Sequence, residues 1–284
     1  MKTIAIYHKD CTDGTTAAAV VLRKYPDALV FPLSHGHTSE ELSAILEKIE
    51  KGDRVFTVDC IIGVNELLAA GHAVTSLDHH IGAEKAAREL EASNKAFTFV
   101  FDNDKSGASL AWSYFFPDEK IPELVLLVED RDLWRHKYGQ RTKAASNFLF
   151  MLTNKPDEVA KLLNAPIDGV LRDGTVLARS EEISIDHKFK TTEPILVRVD
   201  KYEILFYNAT SYRSDLGNAF AVKNAKAVGL FSITGGSVHI SFRSLDGQSP
   251  NALELAKALG GGGHNNAAAA SMKLSDFIKS IVLP

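Results

Sequence analysis

The chain of 284 residues is 45% hydrophobic and 24% charged, and its formal net charge is −4. The length allows one large domain or two medium ones, and the mildly acidic balance excludes a protein that coats long duplex DNA or RNA. The sequence shows neither a secretion signal nor an apolar stretch near the ~18 residues of a membrane helix, so we expect no membrane association. Two cysteines are too few for a disulfide framework, so we expect a cytoplasmic protein.

Strand-like and helix-like patterns alternate through the first 140 residues, with short connections between them. We predict strands at residues 3–7, 28–33, 54–58, 73–77 and 96–101 and helices at 15–24, 39–51, 65–70, 83–92, 106–116 and 122–129. This alternation is typical of an α/β domain with a mostly parallel sheet and helices on both faces. In such sheets ligands bind beyond the carboxyl ends of the strands, so the residues that follow each strand are the first candidates for a site.

Acidic and imidazole side chains stand at the ends of three of these strands: His8, Asp10, Asp13, Asp59, Asp78, His79 and His80. Any one of them has an ordinary explanation, such as a helix cap at Asp13. Several of them at one sheet edge favour a shared metal site, because carboxylate and neutral imidazole are common metal ligands. The histidines outside these motifs are interpreted as surface residues: His35, His37 and His72.

This set of ligands indicates hard divalent ions rather than a zinc site built from thiolates. Mn²⁺ suits mixed Asp and His ligands, and Mg²⁺ is the alternative. The candidates outnumber the needs of one ion, and two ions ~3.5–4 Å apart are a known device for in-line displacement at phosphorus. A nicotinamide cofactor is not expected, because Gly14 stands alone after the first strand and no dinucleotide fingerprint follows it.

The second half begins with a stretch of mixed charge, residues 141–193, which is mostly helical in pattern and is broken at Pro156 and Pro166. We interpret it as a helical linker between domains at residues 1–140 and 194–284. Its predicted packing positions are Leu149, Leu152, Val159, Leu162 and Leu163. Beyond it we predict strands at 195–199, 203–207, 227–233 and 237–243 and helices at 214–222 and 251–259. These elements indicate a smaller mixed α/β domain.

Four consecutive glycines at residues 260–263 precede His264 and an alanine run at 267–270. A flexible linker is the ordinary explanation for such a run. Here a predicted helix precedes the glycines, and glycines allow backbone N–H groups to converge on an anion. The sequence therefore predicts an anion-binding loop in this domain.

Two sets of residues resemble one known family. The segment 8–14 (HKDCTDG), Asp59, the triplet 78–80 (DHH) and the segment 130–134 (DRDLW) resemble the motifs of the DHH phosphoesterases, which include oligoribonucleases. Residues 260–270 resemble the signature of the DHHA1 domain, and residues 241–244 (SFRS) resemble its arginine strand. The resemblance covers nearly the whole chain. It implies a DHH metal-binding domain at 1–140 and a DHHA1 substrate-binding domain at 194–284.

The resemblance implies that six residues bind two Mn²⁺ ions: His8, Asp10, Asp13, Asp59, His79 and Asp130. In this scheme Asp59 bridges the two ions. The chain departs from the family at one ligand, because two residues separate Asp10 from Asp13 where the family has one, which makes Asp10 the weakest ligand. Asp132 competes with Asp130, and the family spacing to the next aromatic residue favours Asp130.

The resemblance also implies which residues contact substrate. Asp78 would support the metal ligands, and His80, Arg243 and His264 would stabilise charge on the phosphoryl oxygens. The substrate-binding set is Arg243, Gly261, Gly262, Gly263 and His264. Ala269 stands where the family usually has glycine, a departure that concerns the local backbone angle.

These features together predict a metal-dependent phosphodiesterase, a phosphoric ester hydrolase or exonuclease that cleaves short single-stranded oligonucleotides or dinucleotides. Water would attack phosphorus in line, with both domains closed over the substrate. The alternatives are a phosphomonoesterase or pyrophosphatase acting on small phosphorylated metabolites, a cyclic-dinucleotide phosphodiesterase, and a nucleotide-sensing module without turnover.

The oligomeric state stays open, with a homodimer among the options. Cys11 and Cys60 are interpreted as small buried side chains, with a regulatory thiol pair as the alternative.

Overall fold

Five parallel strands form the sheet of the first unit, Met1–Arg179, in the computed structural model, which describes residues 1–283. In chain order the strands are β1 (Thr3–His8), β2 (Leu29–Leu33), β3 (Arg54–Val58), β4 (Val74–Asp78) and β5 (Phe97–Phe101). Their order across the sheet is β2-β1-β3-β4-β5, and each neighbouring pair is parallel. The carboxyl ends of all five strands therefore meet at one edge of the sheet.

Helices cover both faces of this sheet. They are α1 (Thr12–Lys24), α2 (Ser39–Leu46), α3 (Val64–Ala69), α4 (Ile81–Ser93), α5 (Gly107–Phe115), α6 (Glu123–Asp132), α7 (Gln140–Phe150), α8 (Pro156–Leu162) and α9 (Asp168–Thr191), which continues past the end of the unit. Along β1, Ala5 and Tyr7 belong to one apolar cluster and Ile4 and Ile6 to another, and all four are buried. This is the pattern of a strand covered on both faces, and the predicted α/β architecture is confirmed.

Helix α1 begins three residues earlier than the sequence pattern predicts, at Thr12 rather than residue 15. The Sγ of Cys11 accepts a hydrogen bond from the Gly14 N–H (3.5 Å) and so caps the helix. The buried hydroxyls of Thr15 and Thr16 donate to carbonyls one turn earlier, at 2.7 Å each. These local bonds satisfy the polar groups of a helix that is buried on most sides. The early start places residue 13 in the first helical turn rather than in a loop.

Helices α7 and α8 pack into the core of the first unit. All five predicted packing positions contact the apolar cluster around α1: Leu149, Val159 and Leu163 are buried, and Leu152 and Leu162 are partly buried. The predicted packing positions are therefore confirmed. This packing explains why the compact unit extends as far as Arg179, well beyond the last parallel strand. Within residues 1–283, no helix combines the length and the apolar character needed to cross a membrane.

A six-stranded mixed sheet forms the second unit, which begins at Ser180. Its elements are β6 (Ile195–Val199), β7 (Tyr202–Asn208), α10 (Arg213–Asn224), β8 (Val228–Thr234), β9 (Ser237–Arg243), α11 (Ala252–Ala258), β10 (Gly262–His264), β11 (Ala267–Lys273) and α12 (Leu274–Ser280). The strand order is β10-β11-β9-β8-β7-β6, with β7 and β8 parallel and the other pairs antiparallel. The buried rings of Phe206 and Phe242 lie 5.7 Å apart within its core. The predicted smaller mixed α/β domain is confirmed.

Candidate metal centre

Most of the side chains predicted to bind metal converge at the carboxyl edge of the first sheet. Strands β1, β3 and β4 are neighbours there, and each ends at or beside a predicted ligand. Ligand atoms of His8, Asp59 and His80 lie within 4.8 Å of one another, and so do those of Asp13, Asp59 and His79. Asp59 therefore belongs to both groups.

The carboxylate of Asp59 is buried between two imidazoles. Its Oδ1 is 3.1 Å from the Nε2 of His79, and its Oδ2 is 3.4 Å from the Nδ1 of His8. Asp59 has φ of +59°, a left-handed backbone conformation that is uncommon for non-glycine residues and clusters at functional sites. Its N–H donates to the Leu77 carbonyl (2.9 Å), so the residue is tied to β4. Backbone and side chain together fix Asp59 at the centre of the cluster.

Two buried atoms of this cluster, the Oδ2 of Asp59 and the Nδ1 of His8, form no hydrogen bond among residues 1–283, and they approach each other to 3.4 Å. An unpartnered buried polar group costs roughly 1–3 kcal/mol, so native structures rarely contain one without an ion or a water. A carboxylate oxygen and an imidazole nitrogen are both good ligands for a divalent cation such as Mn²⁺. The residues present therefore fit a divalent metal ion at this position.

Two glycines allow helices to approach the cluster. A Cβ at Gly107, the first residue of α5, would lie 2.6 Å from the Cβ of Asp59, and a Cβ at Gly14 would lie 3.1 Å from the Oδ2 of Asp59. Because α5 approaches so closely, the N–H groups of Gly107 (2.6 Å) and Ala108 (3.0 Å) donate to the carboxylate of Asp13. Asp13 is thereby fixed at the start of a helix, where the dipole favours negative charge.

Three carboxylates surround His79. Its Nε2 is 3.1 Å from Asp59, 3.5 Å from Asp132 and 3.8 Å from Asp13. Burial lowers the pKa of His79, but these carboxylates outweigh burial and raise the pKa to about 9. Burial and the charge of Asp59 raise the pKa of Asp132 to about 6 and the pKa of Asp13 well above its usual value. Burial alone would raise the pKa of Asp59 as well, but the imidazoles of His79 and His8 outweigh it and lower that pKa. The buried carboxylates of this cluster therefore favour a bound cation or a protonated histidine beside them.

Asp78 orients the two histidines that follow it. Its Oδ1 accepts a hydrogen bond from the His79 N–H (2.9 Å) and lies 2.7 Å from the Nδ1 of His80. A carboxylate at Nδ1 keeps a proton on that nitrogen and leaves Nε2 for a ligand. This contact is suited to the supporting role that the sequence predicts for Asp78. His80 belongs to the ligand group of His8, so it is placed to contact either metal or phosphate.

The structure places Asp132, rather than Asp130, beside the other acids. The Oδ2 of Asp132 is 3.5 Å from the Nε2 of His79. Asp130 is buried, and its carboxylate accepts hydrogen bonds from the N–H groups of Lys137 (2.8 Å) and Tyr138 (3.2 Å) and from the hydroxyl of Thr142. This geometry favours Asp132 over the predicted Asp130 as a ligand, because both oxygens of Asp130 already accept hydrogen bonds from the segment that follows it.

Asp10 also lies outside both ligand groups. Its side chain is exposed, and its Oδ1 accepts a hydrogen bond from the Nδ2 of Asn154 (2.6 Å). The Asp10 N–H donates in return to the Oδ1 of Asn154 (3.0 Å). These bonds tie Asp10 to the connection between α7 and α8, which explains physically why it is not among the converging acids.

His35 is exposed, as the sequence interpretation expected, and its ring packs against that of His8. Its ring centroid is 5.4 Å from that of His8, with the rings at 72°. Burial, followed by the nearby His8 and His80, lowers the pKa of His35. His35 follows the carboxyl end of β2, the strand beside β1. His37, by contrast, has its Nδ1 2.8 Å from the Ser34 carbonyl.

Both cysteines are free thiols. Cys60 is buried among apolar side chains, whereas Cys11 caps α1. Burial raises the pKa of both thiols, so they stay protonated near neutral pH. Cys60 fits the interpretation of a small buried side chain, whereas Cys11 is only partly buried.

In the second unit, cross-strand pairing aligns Arg243 and His264. Ala267 of β11 pairs with Arg243 of β9 on one side and with His264 of β10 on the other. Directly paired residues share a sheet face, and two strand spacings put their Cα atoms about 10 Å apart. The guanidinium of Arg243 donates to the hydroxyl of Ser214 at the start of α10 (2.9 Å). The structure thus presents both predicted phosphate contacts on one face of this sheet.

The glycine run ends a helix and begins an edge strand. The N–H groups of Gly260 and Gly261 donate to carbonyls of α11, at 3.0 and 2.8 Å, so they are not available to an anion. Gly263 has φ of +140°, and a Cβ there would lie 2.6 Å from the Ala267 carbonyl oxygen. Ala269 lies in β11 without a positive φ, so the alanine causes no strain at that position.

Comparison with known proteins identifies a matching domain model, a relative in sequence and neighbours in structure. Residues 213–282 match the DHHA1 domain. The chain is 25% identical, over 82% of its length, to "Oligoribonuclease NrnB" of Bacillus subtilis (strain 168), and it covers 63% of that relative, which is less than two thirds. RecJ from Thermus thermophilus, solved with Mn²⁺, shares the fold at a TM-score of 0.58 and 16% identity, covering 98% of this chain and 50% of RecJ. The pGpG-specific phosphodiesterase PggH from Vibrio cholerae shares it at 0.56 and 12% identity, covering 98% and 96%.

Proposed function

We propose that this chain, which belongs to the DHH/DHHA1 phosphoesterase family, is a metal-dependent phosphodiesterase that hydrolyses short oligonucleotides or dinucleotides. The relative NrnB is named an oligoribonuclease, and the structural neighbour PggH is specific for the dinucleotide pGpG. The net charge of −4 agrees with a short substrate, because proteins that bind long nucleic acids usually carry a basic excess.

The position of Asp59 carries this proposal. Its two oxygens lie next to different histidines, and it belongs to both ligand groups. A carboxylate in that position is suited to bridge two cations, which is the arrangement used for in-line displacement at phosphorus. The unpartnered Oδ2 supports a cation on the His8 side, and the surplus of negative charge supports one on the His79 side.

Two sets of residues would hold the ions. The first set is His8, Asp59 and His80, and the second is Asp13, Asp59, His79 and Asp132. Divalent ions, when bound, supply an acidified water and charge stabilisation at the phosphoryl group. Asp78 would hold the proton at the Nδ1 of His80 and so keep the Nε2 directed to the site. Arg243 and His264 would supply phosphate contacts from the second unit.

The test compares two acids that were both predicted to bind metal and that differ in their position in the structure. Asp59→Asn removes the shared carboxylate at constant size, whereas Asp10→Asn changes an exposed acid outside both ligand groups. Both proteins are stripped with a chelator, reloaded with Mn²⁺ and assayed on a dinucleotide, a 5-mer and a 24-mer RNA. We expect D59N to lose more than about 100-fold in kcat/KM, because even residues that only support a metal ligand cost 10–100-fold.

The control D10N should stay within about threefold of the parent, because its side chain contacts Asn154 rather than the metal ligands. The parent should prefer the two short substrates. Parent-like hydrolysis by D59N would reject the proposal, and so would a parent that hydrolyses none of the three substrates with Mn²⁺.

A further inference from the structure

The end of α6 and the segment that follows it concentrate aromatic and basic residues in the chain next to Asp132. We call residues 131–138 the aromatic loop, and its aromatic and basic members are Arg131, Trp134, Arg135, His136, Lys137 and Tyr138. Asp132 lies in the same loop and close to His79. Two residues of extended chain span at most about 7 Å, so the backbone of Trp134 lies next to the site.

Trp134 is unusually exposed for a tryptophan. Its side chain is 43% exposed, while the chain's other tryptophan, Trp112, is 1% exposed. The guanidinium carbon of Arg131 lies 4.4 Å from the centre of the Trp134 ring, and the His136 ring centroid lies 4.6 Å away at 83°. A large exposed aromatic surface next to a polar site is typical of ligand contact.

Backbone contacts hold the aromatic loop in place. The carboxylate of Asp130 accepts the N–H groups of Lys137 and Tyr138, and its carbonyl accepts those of Arg135 (2.9 Å) and His136 (3.3 Å). The guanidinium of Arg135 donates to Glu129 (3.0 Å) and to the carbonyl of Asp104 (2.7 Å). The buried Asp130 is therefore the anchor of the loop.

Two bulky residues of this loop have left-handed backbone conformations, Trp134 with φ of +54° and His136 with φ of +51°. Such conformations cost energy for residues with a Cβ, and they persist where the surroundings enforce them. The anchored loop enforces them here. Its effect is to hold an indole, backed by a guanidinium, two residues after Asp132 in the chain.

We propose that Trp134, supported by Arg131, is the surface on which a nucleobase of the substrate stacks. This inference rests on the proposed function, because it takes the bound molecule to be a nucleotide rather than a sugar phosphate. Stacking on an aromatic face accepts every base, because each base has a π-face, and a nearby cation strengthens it. Purines, which have the larger rings, should bind more tightly than pyrimidines.

Intrinsic fluorescence tests this proposal without any turnover. In EDTA, the parent is titrated with adenosine 5′-monophosphate and, separately, with ribose 5-phosphate. Because Trp112 is buried, quenching by a base reports Trp134. We expect saturable quenching by the nucleotide, none by the sugar phosphate, and none by the nucleotide in Trp134→Phe. A parent that the two ligands quench equally, or that neither quenches, would overturn the proposal.

A kinetic comparison separates stacking from a structural role of the indole. Trp134→Leu keeps apolar bulk without a π-face, and Trp134→Phe keeps a smaller π-face. On a dinucleotide we expect W134L to lose about 5- to 150-fold in kcat/KM and W134F to retain most of it. On an abasic dinucleotide analogue the two variants should equal the parent. Equal losses by W134L on both substrates would overturn the stacking role. If the parent hydrolysed neither substrate, the proposed function would be rejected, and the fluorescence titration would decide the stacking inference.

Discussion

The two units of the chain hold their candidate residues in different ways. In the first unit, parallel strands bring acids and histidines from distant positions into one buried cluster, where two atoms have no hydrogen bond within residues 1–283 and the excess negative charge favours a cation. In the second unit, Arg243 and His264 lie on the face of a sheet, and part of the glycine run is already bonded to α11. This difference supports our proposal that the first unit binds metal and carries the chemistry, whereas the second contacts the substrate. The two units should therefore respond differently to substitution.

The largest expected effect separates two acids at the end of α6. Asp132→Asn should reduce kcat/KM more than about 100-fold without loss of stability, because it removes a charge next to His79. Asp130→Asn should instead lower the free energy of unfolding by about 1–3 kcal/mol, because the buried carboxylate satisfies several donors. Steady-state kinetics and urea unfolding measure the two effects. The assignment is wrong if D130N, but not D132N, loses Mn²⁺ binding while keeping its stability.

The next effect concerns the approach of α5 to the cluster. Gly107→Ala places a Cβ 2.6 Å from the Cβ of Asp59, so we expect weaker Mn²⁺ binding and a loss of about 1–3 kcal/mol in stability. Gly82→Ala in α4 is the matched control, because its Cβ would meet no atom within 4 Å among residues 1–283 apart from its chain neighbours and the nearby backbone of its own helix. The control should be neutral or gain up to about 1 kcal/mol from helix propensity. Calorimetric Mn²⁺ titration of both variants makes the comparison, and equal affinities would refute a close approach of α5.

In the second unit we expect a smaller effect, confined to substrate binding. His264→Ala should raise KM about tenfold for a dinucleotide and leave Mn²⁺ affinity unchanged, because it removes one charge-assisted phosphate contact. His239→Ala is the control, since His239 is also exposed on this sheet but pairs at the other end of β9. The contrast between the units would fail if H264A altered Mn²⁺ affinity, or if H239A raised KM as much.

The smallest effect is a pH dependence of the stability of the metal-free protein. The pKa of His79 is raised from 6.5 to about 9 by the carboxylates around it, so the folded state holds a proton that the unfolded state releases. The stabilisation is complete below pH 6.5 and is lost as the pH rises through about 9. In EDTA, the melting temperature should fall over this range. It should fall less in His79→Asn, and a parent-like fall in that variant would exclude His79 as the source.

Much of the fold was predictable, because alternation and short connections determine a parallel sheet. Strand β9 has the predicted bounds, and the strands that end at His8 and Asp78 differ from prediction by one residue. The start of α1 was missed because cysteine is a weak capping signal. Strand β10 was missed because glycine disfavours strands, and only its pairing with β11 reveals it.

The sequence predicted which segments meet at the candidate site, but it did not predict which side chains of those segments point into the site. The strand-end rule identified His8, Asp59 and His79, which the structure brings together. Asp130 and Asp132 stand two residues apart on a helix, so their side chains point in nearly opposite directions, about 160° apart. Spacing alone could not show which one reaches the cluster. Asp10 is held by Asn154, which lies 144 positions later in the chain, and the sequence near Asp10 could not show this contact.

The binding of Mn²⁺ to the parent and to D59N tests most directly whether Asp59 joins two metal sites. Equilibrium dialysis gives the number of ions per chain, and electron paramagnetic resonance shows whether neighbouring Mn²⁺ ions are magnetically coupled. We expect two coupled ions per parent chain, and at most one uncoupled ion in D59N. Two uncoupled ions in the parent, or an unchanged coupled pair in D59N, would contradict the shared position of Asp59.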